Sequence, residues 1–287
     1  MPNTLLSKIL APGAISTVFQ PIFSVNETSS TAIILECLSR GPASTNAAHA
    51  GVLFEYAQLK AVEPLIDRAC ITAALNTLVA IEGSRRFSLN VFAATLVRDS
   101  GFVPWVAEQM NRLQLNPSNL IFELVEHGEA WDTNIFLSAL RDIRSLGCQS
   151  ALDDVGLAHS NFKRILECDP EFLKLDRCIV QDCGHDLRRQ ALLKWLAFLA
   201  KDLGSSLIAE GVESCEELNV LRSHDIGLFQ GFLFSKPVSA AEISILLKKI
   251  AMPKLPLPAA ELELTCRQGG LTIEGTSQNV ERMARQI

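Results

Sequence analysis

Short apolar runs rich in β-branched and aromatic residues recur along the chain and predict β-strands. Each run ends at polar or turn-forming residues, as expected for the buried strands of a folded domain. The eight predicted strands are Ser16–Val25, Thr31–Leu38, Arg86–Val91, Leu120–Glu126, Gln149–Asp153, Phe172–Leu175, Ser206–Glu210 and Leu228–Phe232.

Helical patterns lie between most of these strands. Two amphipathic segments, Asn134–Leu146 and Asp186–Leu203, are each followed by a glycine, which commonly ends a helix. Capping boxes, which begin helices, are predicted at Ser214 with Glu217 and at Ser239 with Glu242. The chain therefore alternates strands and helices.

Eight strands alternating with helices predict an α/β fold, a closed (β/α)8 barrel of the TIM type. An open doubly wound sheet is the alternative. Only residues 26–30 separate the first two strands, which is too short for a helical crossover and predicts a hairpin instead. The barrel would then contain one antiparallel strand.

The sequence changes character after Ile250. Pro253, Pro256 and Pro258 follow within a few residues and predict a stiff connector. We therefore expect a barrel domain over residues 1–250 and a connector with a C-terminal tail over residues 251–287. The tail is either helical or the beginning of a further module.

Composition narrows the possible functions. The 287 residues are 48% apolar and carry a net charge of −6 without any long basic run, so a large core is expected and nucleic acid polymers are not expected as partners. The cysteines form no CxxC pair, so a zinc site is not expected. No apolar run reaches the length of a membrane span and no signal peptide is evident, which predicts a cytoplasmic protein.

Acidic or amide residues stand at the ends of most predicted strands. They are Glu36, Asn90, Glu123, Glu126, Asp153, Asp154, Asp176, Glu210, Glu213 and Gln230, with Lys174 among them. The carboxyl ends of barrel strands converge on one mouth, where so many carboxylates would repel one another without a cation. Oxygen ligands favour Mg²⁺ or Mn²⁺ over zinc, and the adjacent pair Asp153-Asp154 suits a two-metal site for phosphoryl chemistry. A single acid after a strand is usually a solvated loop residue, so the hypothesis depends on the recurrence of such residues at most of the strand ends.

Ordered motifs resemble those of EAL domains, the cyclic di-GMP phosphodiesterases of bacteria. They are Phe19-Gln20-Pro21-Ile22, Leu35-Glu36-Cys37-Leu38-Ser39-Arg40, Leu89-Asn90-Val91, Phe122-Glu123-Leu124-Val125-Glu126, Leu152-Asp153-Asp154-Val155-Gly156, Leu173-Lys174-Leu175-Asp176, Ala209-Glu210-Gly211-Val212-Glu213 and Gln230-Gly231-Phe232. The resemblance covers about residues 5–250 and implies an EAL barrel with one antiparallel strand. It also implies hydrolysis of cyclic di-GMP to linear pGpG with two Mg²⁺ or Mn²⁺ ions, Ca²⁺ being inhibitory, and a homodimer.

The resemblance assigns roles to individual residues of this sequence. The metal ligands would be Glu36, Asn90, Glu123, Asp153 and Asp154, and the catalytic pair that orients and activates water would be Glu210 and Lys174. Gln20, Arg40, Asp176 and Gln230 would contact the substrate, Gln230 also lying near the metals through water. Glu126 and Glu213 would stabilise the neighbouring loops.

Two departures from the family pattern stand out. The signature reads Glu36-Cys37-Leu38 instead of Glu-Ala-Leu, which leaves the predicted ligand in place. The loop after Asp154 reads Val155-Gly156-Leu157-Ala158-His159-Ser160-Asn161, where the family usually has Phe-Gly-Thr-Gly-Tyr-Ser-Ser. The second departure bears on turnover more than on binding.

Three hypotheses follow from the sequence. The first is an active cyclic di-GMP phosphodiesterase, because every predicted metal and water-orienting residue is retained. The second is a catalytically silent cyclic di-GMP receptor that signals through the connector after Ile250. The third is an unrelated metal-dependent barrel, such as an aldolase or enolase relative, which fits the acids but not the motifs around Gln20 and Glu210.

Overall fold

The protein forms a closed barrel. The computed structural model describes residues 4–25, 30–81, 85–125, 132–156, 162–251, 263–267 and 270–274. The barrel strands are β1 (Ser16–Val25), β2 (Ser30–Arg40), β3 (Arg86–Phe92), β4 (Leu120–Val125), β5 (Gln149–Val155), β6 (Phe172–Leu175), β7 (Ser206–Ala209) and β8 (Leu228–Phe229). They pair in sequence order until β8 meets β1. The predicted barrel class is therefore confirmed, and the open sheet is excluded.

The first strand runs against all the others. β1 pairs antiparallel with β2 and with β8, whereas every other neighbouring pair in the barrel is parallel. The prediction of one antiparallel strand is confirmed. As a result, the N-terminal half of β1 lies at the same mouth as the C-terminal ends of the other strands.

The last two barrel strands are shorter than the sequence predicts. β7 ends at Ala209 and β8 at Phe229, so Glu210 and Gln230 lie just beyond the strands. Their amides still donate to the neighbouring strands, Glu210 N to Leu175 O at 3.1 Å and Gln230 N to Ala209 O at 2.9 Å. β7 ends before Glu210 because the chain turns away at Gly211, where φ is +66°.

Helices connect most of the strands. They are α1 (Leu5–Ile9), α2 (Ala50–Leu59), α3 (Glu63–Leu78), α4 (Ala93–Arg98), α5 (Phe102–Leu113), α6 (Thr133–Ser145), α7 (Phe162–Cys168), α8 (Arg177–Val180), α9 (Leu187–Asp202), α10 (Cys215–Ser223) and α11 (Ala240–Ala251). The predicted capping box of Ser214 and Glu217 begins α10. Ser239 and Glu242 exchange the same pair of hydrogen bonds at the start of α11, so both predicted helix starts are confirmed.

Two strands are described after residue 251, whereas the predicted connector at residues 252–262 lies outside the described residues. β9 (Glu263–Arg267) and β10 (Gly270–Glu274) pair antiparallel. These residues of the tail are therefore extended, and the helical alternative is wrong for them. Among the described residues, no helix combines the length and the apolar composition that crossing a membrane requires.

A buried carboxyl group ties α3 to the end of β3. Asp67 is 2% exposed, and its Oδ2 accepts hydrogen bonds from Phe92 N at 3.0 Å and from Thr95 Oγ1 at 2.5 Å. Burial raises the pKa of Asp67 to about 7, although the two hydrogen bonds act in the opposite direction. The protein therefore folds more favourably with this group protonated.

We expect the free energy of unfolding of the wild type to decrease as the pH rises, relative to that of Asp67→Asn. A pKa raised from 3.8 to about 7 gives stability that is complete below about pH 4 and lost as the pH rises to about 7, a change of about 4 kcal/mol. Urea unfolding of both proteins across this range measures the difference. Asp202→Asn, at an exposed position, controls for the loss of a charge, and equal pH slopes for wild type and Asp67→Asn would contradict the assignment.

Candidate active site

One layer of apolar side chains inside the barrel determines which residues line its mouth. The layer consists of Ile22, Ile34, Ile121, Ala151, Phe172 and Ile208. Side chains two residues apart on a strand face the same side. Two residues nearer the mouth on the same chain segments stand Gln20, Glu36, Glu123, Asp153, Lys174 and Glu210. The fold therefore places a layer of polar and charged side chains directly above an apolar floor.

Lys174 lies at the centre of this charged layer. Its side chain is 2% exposed, and its Nζ lies 2.6 Å from Glu210 Oε1 and 2.7 Å from Glu123 Oε2. The carboxylates of Asp153 and Glu36 are also close, at 3.3 Å and 3.5 Å. One ammonium group thus neutralises part of the charge of four carboxylates that come from four different strand ends.

Burial and mutual charge shift the pKa values of these groups. Burial would lower the pKa of Lys174, but the four carboxylates hold it well above its ordinary value. Burial raises the pKa of Glu123 well above its ordinary value and that of Glu210 to about 8. The pKa of Glu36 is lowered, because the charge of Lys174 and hydrogen bonds from neighbouring amides outweigh its burial. The cluster holds more acids than one ammonium can compensate, so additional positive charge would stabilise it.

Two oxygens of the cluster suit a metal ion. Glu123 Oε1 is buried and accepts no hydrogen bond, which is costly for a carboxylate unless a cation is present. Asp153 Oδ1 is also buried without a hydrogen bond, and the ammonium of Lys174, 3.3 Å away, is the cation beside it. Within the described residues, no group of three acidic, histidine or cysteine side chains is spaced to hold a metal ion as it stands. The ammonium of Lys174 lies between the carboxylates instead. The donor set is made of carboxylate and amide oxygens, which are the ligands of Mg²⁺, Mn²⁺ and Ca²⁺, so the residues fit such ions.

The amides of the predicted site orient Glu36. Asn90 Nδ2 donates to Glu36 Oε1 at 3.3 Å, and Gln230 Nε2 donates to Glu36 Oε2 at 2.6 Å. Asn90 is also the register partner of Glu123 on the neighbouring strand. Glu36 is therefore held from both sides, and Asn90 lies between two predicted metal ligands.

A β-bulge shapes the adjacent acids Asp153 and Asp154. Leu152 pairs with Leu173, but Val155 pairs with Leu175, so β5 holds one residue more than β6 over this stretch. Asp154 has a φ of +54°, a conformation that aspartate tolerates better than most residues. The bulge re-aims the second side chain, and Asp153 lies 3.3 Å from the Lys174 ammonium.

The mouth contains a cavity of about 230 Å³. Its lining residues are Gln20, Glu36, Asp153, Lys174, Asp176, Arg177, Glu210, Gly211, Glu213, Gln230, Gly231 and Phe232. Eight predicted site residues are thus brought together around one space. Glu123 and Asn90 contact this group from behind, through Lys174 and Glu36.

The remaining predicted site residues lie elsewhere. Arg40 and Asp154 do not line the cavity as far as the described residues define it. The Arg40 guanidinium donates instead from Nη1 to the carbonyl of Ser39 at 2.9 Å. Arg40 is the last residue of β2, four positions after Glu36. Glu126 and residues 157–161, the greater part of the altered loop, lie outside the described residues.

Two loops approach each other closely beside the site. Val212 N donates to Gln230 O and Leu233 N donates to Val212 O, both at 3.0 Å. A Cβ added at Gly231 would lie 2.0 Å from Val212 O and 2.4 Å from Val212 N. These are backbone atoms that no side-chain rotation can move, so the contact requires glycine at position 231.

We expect Gly231→Ala to displace Gln230 and weaken the site. The clash with backbone predicts a loss of stability of about 2 kcal/mol and a fall in metal affinity. Thermal unfolding and Mn²⁺ titration of the variant measure these effects. Gly51→Ala is the matched control, because nothing lies within 4 Å of a Cβ at this position of α2, and alanine there is expected to stabilise by about 0.5 to 1 kcal/mol. Equal behaviour of the two variants would contradict the close-approach argument.

Comparison with known proteins identifies the family. The family model of the EAL domain matches residues 4–237. This chain belongs to the EAL domain family. The hypothesis of an unrelated metal-dependent barrel is therefore rejected, and the family expected from the sequence motifs is confirmed.

Relatives of this EAL domain include named phosphodiesterases. It is 34% identical over 133 residues to the cyclic di-GMP phosphodiesterase RocR of Pseudomonas aeruginosa, an alignment that covers 46% of this chain and 34% of RocR. It is 30% identical over 155 residues to the cyclic di-GMP phosphodiesterase PdeR of Escherichia coli, covering 54% of this chain and 23% of PdeR. The matched region is thus about a third or less of the length of these relatives.

A solved structure of the family has the same fold. The manganese and cyclic di-GMP complex of BlrP1 from Klebsiella pneumoniae matches with a TM-score of 0.68 and 25% identity, covering 80% of this chain and 57% of that one. A calcium and cyclic di-GMP complex of the same protein matches with a TM-score of 0.68. The family therefore includes barrels that hold divalent ions together with this dinucleotide.

The EAL domain holds features that the motif analysis missed or left open. Arg177 and Phe232 line the cavity, and their position directly after Asp176 and Gly231 was the available signal. Glu213 is about half exposed at 46% and lies 3.9 Å from Arg177. Cys37 is buried in the main core, on the opposite side of β2 from Glu36, so the Glu-Cys-Leu departure does not enter the cavity.

Proposed function

We propose that this EAL domain hydrolyses cyclic di-GMP to linear pGpG with two divalent ions, Mg²⁺ or Mn²⁺, in bacterial second-messenger signalling in the cytoplasm. The observation that carries the proposal is the set of four carboxylates sharing one buried ammonium, with two carboxylate oxygens that accept no hydrogen bond. The named phosphodiesterases among its relatives support the choice of substrate.

The residues that would hold the ions are Glu36, Asn90, Glu123, Asp153 and Asp154. When bound, the ions supply electrostatic stabilisation of the attacking and leaving oxygens of the phosphodiester. The chain itself positions these ligands, since Asn90 and Gln230 fix both oxygens of Glu36. Ca²⁺ is larger and less demanding in geometry, so we propose that it supports binding of the dinucleotide and inhibits turnover.

Glu210 and Lys174 are the proposed catalytic pair. Lys174 Nζ and Glu210 Oε1 are 2.6 Å apart, and both residues line the cavity. There Glu210 can accept the proton of the attacking water and Lys174 can orient that water. Gln20, Asp176 and Gln230 line the same cavity and can donate to or accept from the dinucleotide. Arg40 belongs to the proposed substrate contacts as well, and its guanidinium would have to leave the Ser39 carbonyl to reach a phosphate.

Incubation of the purified domain with cyclic di-GMP and Mn²⁺ tests this function. Chromatography of the products is expected to give pGpG in a reaction that EDTA stops. No pGpG at micromolar protein with either Mn²⁺ or Mg²⁺ would contradict the proposal.

A catalytically silent receptor for cyclic di-GMP is the second candidate. It is favoured by the altered loop after Asp154 and by the position of Asp154 outside the cavity lining. Binding of cyclic di-GMP without pGpG, undiminished in Glu36→Gln, would support this candidate over the phosphodiesterase.

The domain is also proposed to form a homodimer. Phe162 and Leu166 of α7 and Trp195 of α9 are exposed large apolar side chains, and the Phe162 and Trp195 rings contact edge to face at 5.6 Å. Exposed apolar patches of this kind often mark interfaces. Light scattering of the wild type and of Trp195→Ser is expected to give a dimer and a monomer, and a monomeric wild type would contradict the proposal.

A further inference from the structure

A second and larger cavity lies at the opposite end of the barrel. Its volume is about 820 Å³, within the range of roughly 300 to 1,000 Å³ that small-molecule sites occupy. The first residues of several strands line it, among them Arg86, Gln149, Ser206 and Leu228, together with one face of α9. Phe172 forms part of its wall and also belongs to the apolar layer of the barrel interior. That layer separates this cavity from the carboxylate site.

The charge of this cavity differs from that of the whole protein. Three cations, Arg86, Lys194 and Lys201, line it together with His224, against two acids, Glu171 and Asp225. Glu171 already accepts hydrogen bonds from Ser150 N at 2.7 Å and Ser150 Oγ at 2.9 Å. It also lies 3.7 Å from Arg144. A protein with a net charge of −6 therefore gathers excess positive charge in one concave place.

The cations of the cavity are not engaged by acids of the described part of the chain. Within the described residues, Arg86, Lys194 and Lys201 are absent from all salt bridges. The Arg86 guanidinium lies 5.3 Å from the centre of the Phe172 ring, and its partial burial lowers its pKa. His224 Nε2 is buried and has no hydrogen-bond partner. Arg86 and His224 are thus partly buried donors, which are expected to bind an anion. The exposed side chains of Lys194 and Lys201 add positive charge beside them.

An aromatic ring accompanies the positive charges. Lys194, Phe198 and Lys201 are spaced i, i+4 and i+7 on α9, which places them on one helix face. All three line the cavity, and Phe198 is 65% exposed. An exposed aromatic ring between two lysines offers a stacking surface for a planar base next to phosphate-binding groups.

We propose that this cavity binds a nucleoside phosphate. Arg86, Lys201 and Lys194 contact the phosphate, and Phe198 stacks on the base. The site is independent of the proposed phosphodiesterase activity, because it shares no lining residue with the carboxylate cavity and needs no divalent ion.

Calorimetric titration with GMP in the presence of EDTA tests the proposal. Without divalent ions, the carboxylate mouth carries excess negative charge and repels phosphate, so binding under these conditions reports on the basic cavity. GMP is expected to bind and guanosine is expected not to bind. The affinity should fall about tenfold in Arg86→Gln and in Lys201→Gln, and also fall in Phe198→Ala.

Matched variants distinguish this site from other binding. Lys60→Gln makes the same change at an exposed lysine of another helix end and is expected to leave GMP affinity unchanged. Glu36→Gln, in the carboxylate site, is expected to leave it unchanged as well. Lack of GMP binding at millimolar concentration, equal binding of guanosine, or undiminished binding in both Arg86→Gln and Lys201→Gln would overturn the proposal. None of these outcomes depends on whether cyclic di-GMP is hydrolysed.

Discussion

Lys174→Met is expected to destabilise the metal-free protein strongly and to be rescued by Mn²⁺. Four carboxylates share the ammonium of Lys174 in a site that is almost fully buried. Removing one partner of a buried ion pair leaves charge uncompensated and costs about 3 to 5 kcal/mol. A divalent ion bound among the same carboxylates would restore compensation, so the variant should gain more stability from Mn²⁺ than the wild type does.

Thermal unfolding of both proteins in EDTA and in Mn²⁺ measures this difference. Lys60→Met is the matched control, because it removes an ammonium group from an exposed position. It should leave the unfolding temperature unchanged both in EDTA and in Mn²⁺. Hydrolysis by Lys174→Met should fall by about 10² to 10⁴-fold even when Mn²⁺ restores folding, if Lys174 orients the water. A variant as stable as the wild type in EDTA would contradict the central role of this ammonium.

Glu36→Gln is expected to remove hydrolysis while leaving the fold intact. The glutamine keeps the size of the side chain but loses a charged metal ligand, and a thousandfold fall in rate corresponds to about 4 kcal/mol of lost transition-state stabilisation. Stability in EDTA should be kept, because Lys174 still contacts three other carboxylates. Glu36→Ala and Asp153→Ala should lose activity for the same reason.

Product analysis with cyclic di-GMP and a Mn²⁺ titration measure these effects. Glu55→Gln, the same substitution at an exposed position of α2, is the control and should behave as the wild type. If Glu36→Gln hydrolysed cyclic di-GMP at the wild-type rate, Glu36 could not be a metal ligand in the reaction.

Much of the site could be predicted because strand ends converge in a barrel. A residue lies at the mouth if its side chain points into the barrel and if it follows the apolar part of its strand. The apolar runs before Glu36, Glu123 and Asp153 indicate both properties. The reversed direction of β1 brings Gln20 to the same mouth, which the short first connection already implied.

Other features depend on tertiary packing and carry no local signal. The position of Lys174 between four acids results from the closure of the barrel, since its sequence neighbours Leu173 and Leu175 predict only a buried strand. The bulge at Asp153-Asp154 depends on the register between β5 and β6. Arg40, which is predicted to contact the substrate, donates to the Ser39 carbonyl at the end of β2, a contact that the sequence does not indicate.

The cavity at the opposite end of the barrel could not be predicted from the sequence either. Arg86, Lys194, Lys201 and His224 are separated by up to 138 positions and belong to no motif. They meet only because the first residues of β3 and one face of α9 border the same end of the barrel.

A crystal structure with Ca²⁺ and cyclic di-GMP tests the central claim most directly. We expect calcium within about 2.3 to 2.6 Å of oxygens of Glu36, Asn90, Glu123 and Asp153, with the dinucleotide phosphate against the ions. Lys174 should then have given up part of its contacts with these acids. If the four carboxylates kept their contacts with Lys174, with no ion among them and the dinucleotide bound elsewhere, the proposed metal site would be wrong.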